Sequence, residues 1–250
     1  MGGLGTLVGA RSGILVLRMF RTLCVAFSLL ATIGWSAETP DVFTELAAGK
    51  KQTVVIYGTS LSHGGEWAVA AKKWFDAKYP GQVTFVNNSG PGQHSGWGLK
   101  NVKTKVTELK PALVLMEFAF NDSRETYKVS VADGASNLDK IVKEIGKESP
   151  GTEVVLQVMN VPWDVPGGNQ SDSWRPKLQA YNDNYRKYAA DHRLQLIDHY
   201  AAWEKLKREA PETYRKYIPD GTHPSAEGSL AVTWPAVKAW LEKRCEAAGK

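Results

Sequence analysis

Thr53-Val54-Val55-Ile56-Tyr57-Gly58-Thr59-Ser60-Leu61-Ser62 is the stretch on which the fold turns. Its first half is an unbroken run of β-branched and apolar residues, the pattern of a strand buried on both faces of a parallel sheet. Its second half is a small-residue turn opening toward a helical pattern. Four further runs of the first kind follow, at Val83–Asn87, Leu113–Phe118, Val154–Met159 and Leu194–Asp198. Helical periodicity fills the spaces between them, over Gly65–Tyr79, Gly98–Leu109, Val131–Glu148 and Trp174–His192, and Ala226–Glu242 closes the chain. Strand alternating with helix implies right-handed crossovers with helices on both faces of the sheet, a three-layer α/β domain. In such sheets functional residues gather beyond the carboxyl ends of the strands. The loops after Tyr57, Asn87, Phe118 and Met159 are therefore the places to look for chemistry.

The chain has 250 residues, enough for one domain with a full core. Its first part reads differently. Arg18 and Arg21 precede an apolar run from Leu23 to Trp35 that ends in the small residues Ser36 and Ala37, which is the layout of a secretory signal. Residues 1–37 are read as that signal, with cleavage after Ser36 preferred, and residues 38–250 as a single exported domain, periplasmic or extracellular. Met19 would open a compact signal by itself. The run falls short of the ~20 apolar residues of a membrane span, so no stable membrane insertion is expected after cleavage. Removing the leader deletes Arg11, Arg18 and Arg21 and no acid, which takes the formal charge from +5 to +2. A nearly neutral domain gives no reason to expect nucleic acid as a partner. Of the two cysteines, Cys24 lies in the leader and Cys245 near the C-terminus, so stability rests on a core rather than on disulfides.

The turn after the first strand can hold the Ser60 hydroxyl up at the sheet edge. Thr59, Ser60 and Ser62 also read as ordinary helix caps. Near the other end stands Asp220-Gly221-Thr222-His223-Pro224, where an acid and a histidine project from one tight turn. Pro224 holds His223 extended and suits the first position of a helix. Asp220 would orient the imidazole, and His223 would take a proton from Ser60. A capped loop with a surface histidine is the plainer reading of that turn.

Four blocks taken in order resemble the SGNH hydrolases, also called the GDSL esterase and lipase family, across almost all of residues 38–250. Gly58-Thr59-Ser60-Leu61-Ser62 resembles the nucleophile block. Asn87-Asn88-Ser89-Gly90-Pro91-Gly92-Gln93-His94-Ser95 resembles the second, Phe118-Ala119-Phe120-Asn121-Asp122 the third, and Asp220-Gly221-Thr222-His223-Pro224 the last. The resemblance implies a flavodoxin-like αβα sandwich on a central five-stranded, mostly parallel sheet, and a catalytic triad of Ser60, Asp220 and His223. It also implies an oxyanion hole from the backbone N–H of Ser60, that of Gly92 with Gly90 as fallback, and the Asn121 side chain. Two positions depart from the family pattern. Thr59 stands where aspartate is usual and Ala119 where glycine is common, and neither removes a catalytic group.

His63 and His94 flank these loops and are candidate substrate contacts, although a histidine near a site is more often a structural hydrogen-bonder. Glu117 lies in an apolar strand and needs partners there. It would bind a loop backbone or tune the site. No histidine, cysteine or acid occurs at metal-ligand spacing, so no metal or cofactor is expected. The long loop from Asn160 to Gln170 combines Trp163 with amides and acids, and Trp174 follows. Aromatic faces beside amides suit sugar rings, with loop packing as the alternative. Together these features point to an exported serine esterase that removes acetyl or other small acyl groups from a carbohydrate. The competing readings are a lipase, lysophospholipase or small-ester hydrolase, a sugar O-acyltransferase using the same triad, and an inactive carbohydrate-binding relative.

Overall fold

The structure, a computed structural model, describes residues 41–248, and the expected leader, residues 1–37, lies outside them. The apolar runs form strands β1 Gln52–Tyr57, β2 Val83–Asn87, β3 Leu113–Met116, β4 Glu153–Val158 and β5 Gln195–Asp198. They make one five-stranded sheet in the order β2-β1-β3-β4-β5, and every pairing is parallel. Register sets Val55 beside Val114 and Val114 beside Val154, so the middle of the sheet is a band of β-branched side chains. Val54–Tyr57, Leu113–Met116 and Val154–Leu156 are all buried, as unbroken apolar runs require when helices cover both faces.

One helical layer comprises α1 Val42–Ala47, α3 Glu66–Lys78 and α11 Trp234–Ala248, and the other α4 Ser95–Lys105, α6 Val131–Glu148 and α7 Leu178–His192. The single-turn helices α2 Ser60–His63 and α5 Ala119–Asp122 follow β1 and β3, and α10 Ala226–Gly228 leads through a π-helical stretch, Ser229–Thr233, into α11. Helix α6 shows why the periodicity was readable. It buries Gly134, Leu138, Ile141, Val142 and Ile145, spaced three and four apart, and begins at a reciprocal capping box between Ser130 and Asp133.

Three differences from the sequence reading have local causes. Helix α7 starts at Leu178 rather than Trp174, because Pro176 disfavours helical backbone at Arg175. Helix α4 starts earlier than expected, at Ser95, because the His94 ring nitrogen caps it by accepting from Gly96 N at 3.1 Å. Helices α8 Tyr200–Glu209 and α9 Pro211–Tyr217 were not foreseen. They carry dense charge and bury only Tyr200, Trp203 and Tyr214, too little for an apolar stripe to stand out. Among the described residues no helix is long and apolar enough to cross a membrane.

Candidate active site

The strand order decides where the site lies. The chain leaves β1 for β2 on one side and comes back past it to β3 on the other, so the connections diverge and leave a crevice beyond the carboxyl ends of β1 and β3. Into it project helix α2, the loop 88–94, helix α5 and the turn 219–225.

The two ends of the chain meet there. Ser60 Oγ lies 2.9 Å from His223 Nε2, and His223 Nδ1 lies 2.7 Å from Asp220 Oδ2. The second contact sets the tautomer: Nδ1–H donates to the carboxylate, leaving Nε2 to accept the Ser60 proton. Asp220 also accepts the backbone N–H groups of Thr222 at 2.8 Å and His223 at 2.7 Å through Oδ1. Burial works to raise the Asp220 pKa, but these bonds together hold it below the usual carboxylate value, so the group that orients the imidazole stays ionised. The turn closes at Gly221, whose φ is +75°, and a Cβ there would lie 2.3 Å from the Trp163 carbonyl oxygen, so no other residue fits.

Two of the expected anion donors stand open. Among the described residues no acceptor engages the backbone N–H of Ser60 or of Gly92. Gly90 is different, since its N–H donates to Gly58 O at 3.0 Å, which removes the fallback. Asn121 is buried, and its Nδ2 donates to Gln93 O at 2.7 Å. One amide hydrogen is thus anchored to the loop that carries Gly92, and the second is left for another acceptor.

Glu117, unresolved in the sequence reading, is the buried anchor of the serine turn. Its Oε1 accepts Thr59 N at 2.6 Å, Ser62 Oγ at 2.7 Å and Thr59 Oγ1 at 3.0 Å. Thr59, the departure from the family aspartate, therefore uses its hydroxyl to meet a carboxylate just beyond the end of the neighbouring strand β3. Gly58 belongs to the same arrangement, since a Cβ there would lie 2.4 Å from Glu117 Oε1. Burial pushes the Glu117 pKa up to about 7, and the Asp122 charge adds to this, against the pull of the Thr59 and Ser62 bonds. Asp122 in turn accepts Ser95 N at 2.7 Å at the start of α4, and burial pushes it up to about 6.

The remaining candidates fall in different places. His63 borders a cleft of about 230 Å³ together with Ser60, Trp67, Met159 and His223, and its Nδ1–H donates to Ser89 O at 3.0 Å. His94 caps α4 and faces the Tyr127 ring at 5.6 Å. Trp163 sits behind the catalytic-type turn. Its indole N–H donates to Ile218 O at 2.7 Å and its backbone N–H to Gly221 O at 3.1 Å. Asn160 and Asn169 brace the same turn through Thr222 O and Asp220 O. Arg124, Tyr127 and Arg175 also border these loops, and the sequence reading missed them because isolated arginines and a tyrosine in a loop carry no spacing signal. Among the described residues no group of three His, Cys, Asp or Glu could hold a metal ion.

A model of the GDSL-like lipase/acylhydrolase family matches residues 46–231 of the chain. An arylesterase from Vibrio mimicus is 29% identical over 187 residues, covering 72% of this chain and 84% of the relative. The lipase/acylhydrolase from Enterococcus faecalis is similar in structure, with a TM-score of 0.61 at 21% identity over 75% of this chain and 94% of that one. A catalytic mutant of an acetylxylan esterase from Geobacillus stearothermophilus has a TM-score of 0.61 at 18% identity over 76% and 93%. At these identities the structural likenesses speak for the fold alone.

Proposed function

The chain belongs to the GDSL-like lipase/acylhydrolase family of ester-hydrolysing enzymes, and from that premise we propose that it is an exported serine esterase acting through Ser60, His223 and Asp220 on small acyl esters of a carbohydrate. The observation that carries this reading is the continuous relay from Ser60 Oγ to His223 Nε2 at 2.9 Å and from His223 Nδ1 to Asp220 at 2.7 Å.

In the first half-reaction His223 Nε2 takes the Ser60 proton as Oγ attacks the ester carbonyl, and the developing imidazolium is stabilised by Asp220. The negative charge on the carbonyl oxygen is met by the N–H groups of Ser60 and Gly92 and by the free hydrogen of Asn121 Nδ2. Such donors are fixed before the reaction begins, and each typically lowers the barrier by about 3–4 kcal/mol. Collapse expels the alcohol, which takes the proton from His223 and leaves Ser60 acylated. Water then attacks with His223 again as base, releasing the acid and restoring the serine.

Steady turnover of p-nitrophenyl acetate after an initial burst, abolished in Ser60→Ala, is the direct test. Turnover that survives Ser60→Ala would overturn the assignment of the nucleophile. For the acyl group, the small cleft of about 230 Å³ beside Ser60 lies below the ~300–1,000 Å³ of sites that enclose drug-sized ligands and supports a short chain. Acetyl esters should therefore outrun octanoyl esters. For the alcohol, the half-exposed rings of Tyr127, beside Gly92, and of Trp174, which shares Arg124 with it, support a sugar, and acetate release from acetylated polysaccharides by wild type but not by His223→Ala is the check. The arylesterase relative favours a second reading, a general small-ester hydrolase. Release from aryl acetates without release from any polysaccharide would select it.

A further inference from the structure

Two guanidinium groups near the Asn121–Gly92 wall have no carboxylate bonded to them among the described residues. Arg124 follows Asn121 closely in the chain, and its backbone N–H donates to Asn121 O at 3.0 Å. Its side chain lies over two aromatic faces, with Cζ 4.4 Å from the Trp174 ring centre and 5.4 Å from that of Tyr127. Arg124 Nε is buried with no acceptor, an unmet donor that costs free energy unless something supplies the missing oxygen. The second group, Arg175, is 3% exposed. It donates only to neutral oxygens, Nε to Phe120 O and Nη1 to Ser171 O and Ser171 Oγ. Asp172, which acts on Arg175 from a distance, is drawn instead toward Lys207 at 3.8 Å. Burial pushes the Arg175 pKa down to about 10, and the neighbouring Arg124 charge adds to this.

The place of this pair gives it a use. Tyr127 stands between Arg124 and the open donor of Gly92, for a Cβ on Gly92 would lie 3.6 Å from the Tyr127 hydroxyl. The Phe120 carbonyl that Arg175 holds precedes Asn121, and Ser171, its other partner, accepts the Thr222 hydroxyl beside His223. Positive charge accumulated at a fold's interior edge without its own counter-ion favours an anion from outside. The guanidinium fork matches the two oxygens of a carboxylate, and the Trp174 and Tyr127 rings beside it suit a sugar face.

Resting on the esterase reading above, we propose that Arg124, flanked by Tyr127 and Trp174 and backed by the buried charge of Arg175, forms a subsite for a carboxylate on the alcohol part of the ester, so that the preferred substrate is an acylated acidic sugar of the uronic acid type. Arg124 is the contact, and Arg175 acts through the field and through its hold on Phe120 and Ser171.

A pair of acetate esters of the same size, one anionic and one neutral, isolates this subsite: 4-acetoxybenzoate and 4-acetoxybenzamide. The ratio of kcat/KM for the anion over the neutral ester should fall ~10-fold in Arg124→Gln and less in Arg124→Lys. In wild type the same ratio should decline as sodium chloride is raised, a readout that needs no mutation. A ratio equal in wild type and Arg124→Gln and indifferent to salt would overturn the subsite. Calorimetric binding of galacturonate to Ser60→Ala, lost when Arg124→Gln is added, reads the subsite without turnover. If neither ester is hydrolysed yet galacturonate binds through Arg124, the esterase reading fails and the subsite stands. If both are hydrolysed and galacturonate does not bind, the subsite alone fails. Inorganic phosphate binding where galacturonate does not would overturn the carboxylate assignment.

Discussion

Ser60 owes its position to residues buried beneath it. The turn that presents it is clamped from below by Glu117, which accepts the Thr59 amide, the Thr59 hydroxyl and the Ser62 hydroxyl. Thr59→Val keeps the shape of the side chain and removes one of those donors, so it should cost about 1–3 kcal/mol in urea unfolding. An unchanged midpoint would show that the carboxylate is satisfied without it. Gly221 is the other residue whose identity follows from geometry. Alanine there meets both a positive φ and the Trp163 carbonyl, so Gly221→Ala should lower kcat more than it raises KM, through displacement of the Asp220–His223 pair. Normal kcat in a folded Gly221→Ala protein would mean that the turn can shift without disturbing the pair. The Asn121 amide gives the third residue-scale expectation: Asn121→Ala should lower kcat by about 10²–10³, and a smaller loss would point to the backbone donors as sufficient.

At the scale of elements, the loop after β4 is a brace. Asn160, Trp163 and Asn169 hold three successive parts of the turn, at Thr222 O, Gly221 O and Asp220 O. The indole N–H of Trp163 is engaged by Ile218 O, and Arg215 lies over its ring at 5.8 Å. Asn160→Ala leaves the buried Thr222 carbonyl unpaired. It should reduce stability by about 1–3 kcal/mol and lower kcat with little change in KM, as steady-state rates and urea unfolding would register together. An effect on KM alone would instead place this loop against the substrate. Helix α4 belongs to the same scale, because its start is set by His94 at its own N-cap and by Asp122 at the end of α5. The second and third sequence blocks are thereby one mechanical unit.

For the whole molecule, burying two acids under the active-site end gives the fold a pH signature. Burial raises the Glu117 pKa to about 7 and that of Asp122 to about 6. The folded chain therefore holds these protons more tightly than the unfolded chain. The stabilisation is complete below the unfolded values near pH 4 and is lost as pH rises through 6 and 7. For Glu117 the amount is on the order of 3 kcal/mol. Wild type should lose stability relative to Glu117→Gln between pH 4.5 and 7, seen as converging or crossing thermal midpoints. Parallel curves would show that Glu117 keeps its proton, or loses it, equally in both states.

Much of this architecture was legible in the sequence. Unbroken apolar runs and periodic helices report how each residue is divided between core and water, and that division alone specified five parallel strands with helices on both faces. The turn chemistry of Gly58-Thr59-Ser60 and Asp220-Gly221-Thr222-His223 was equally local, and so were the candidate roles of Ser60, Asp220 and His223. Hydrogen-bond partnership is not local. Thr59 meets Glu117 across 58 residues and Ser60 meets His223 across 163, and no periodicity encodes such pairs. Only the tertiary structure could decide that the Gly90 N–H is committed to Gly58 O, that Glu117 holds the serine turn, that Trp163 bonds the 218–221 turn, and that Arg124 and Arg175 stand together with no carboxylate bonded to them among the described residues. Each is a fact about two or more groups brought together by the crossing of the chain at β1 and β3, whereas a sequence pattern reports the preference of one residue at a time.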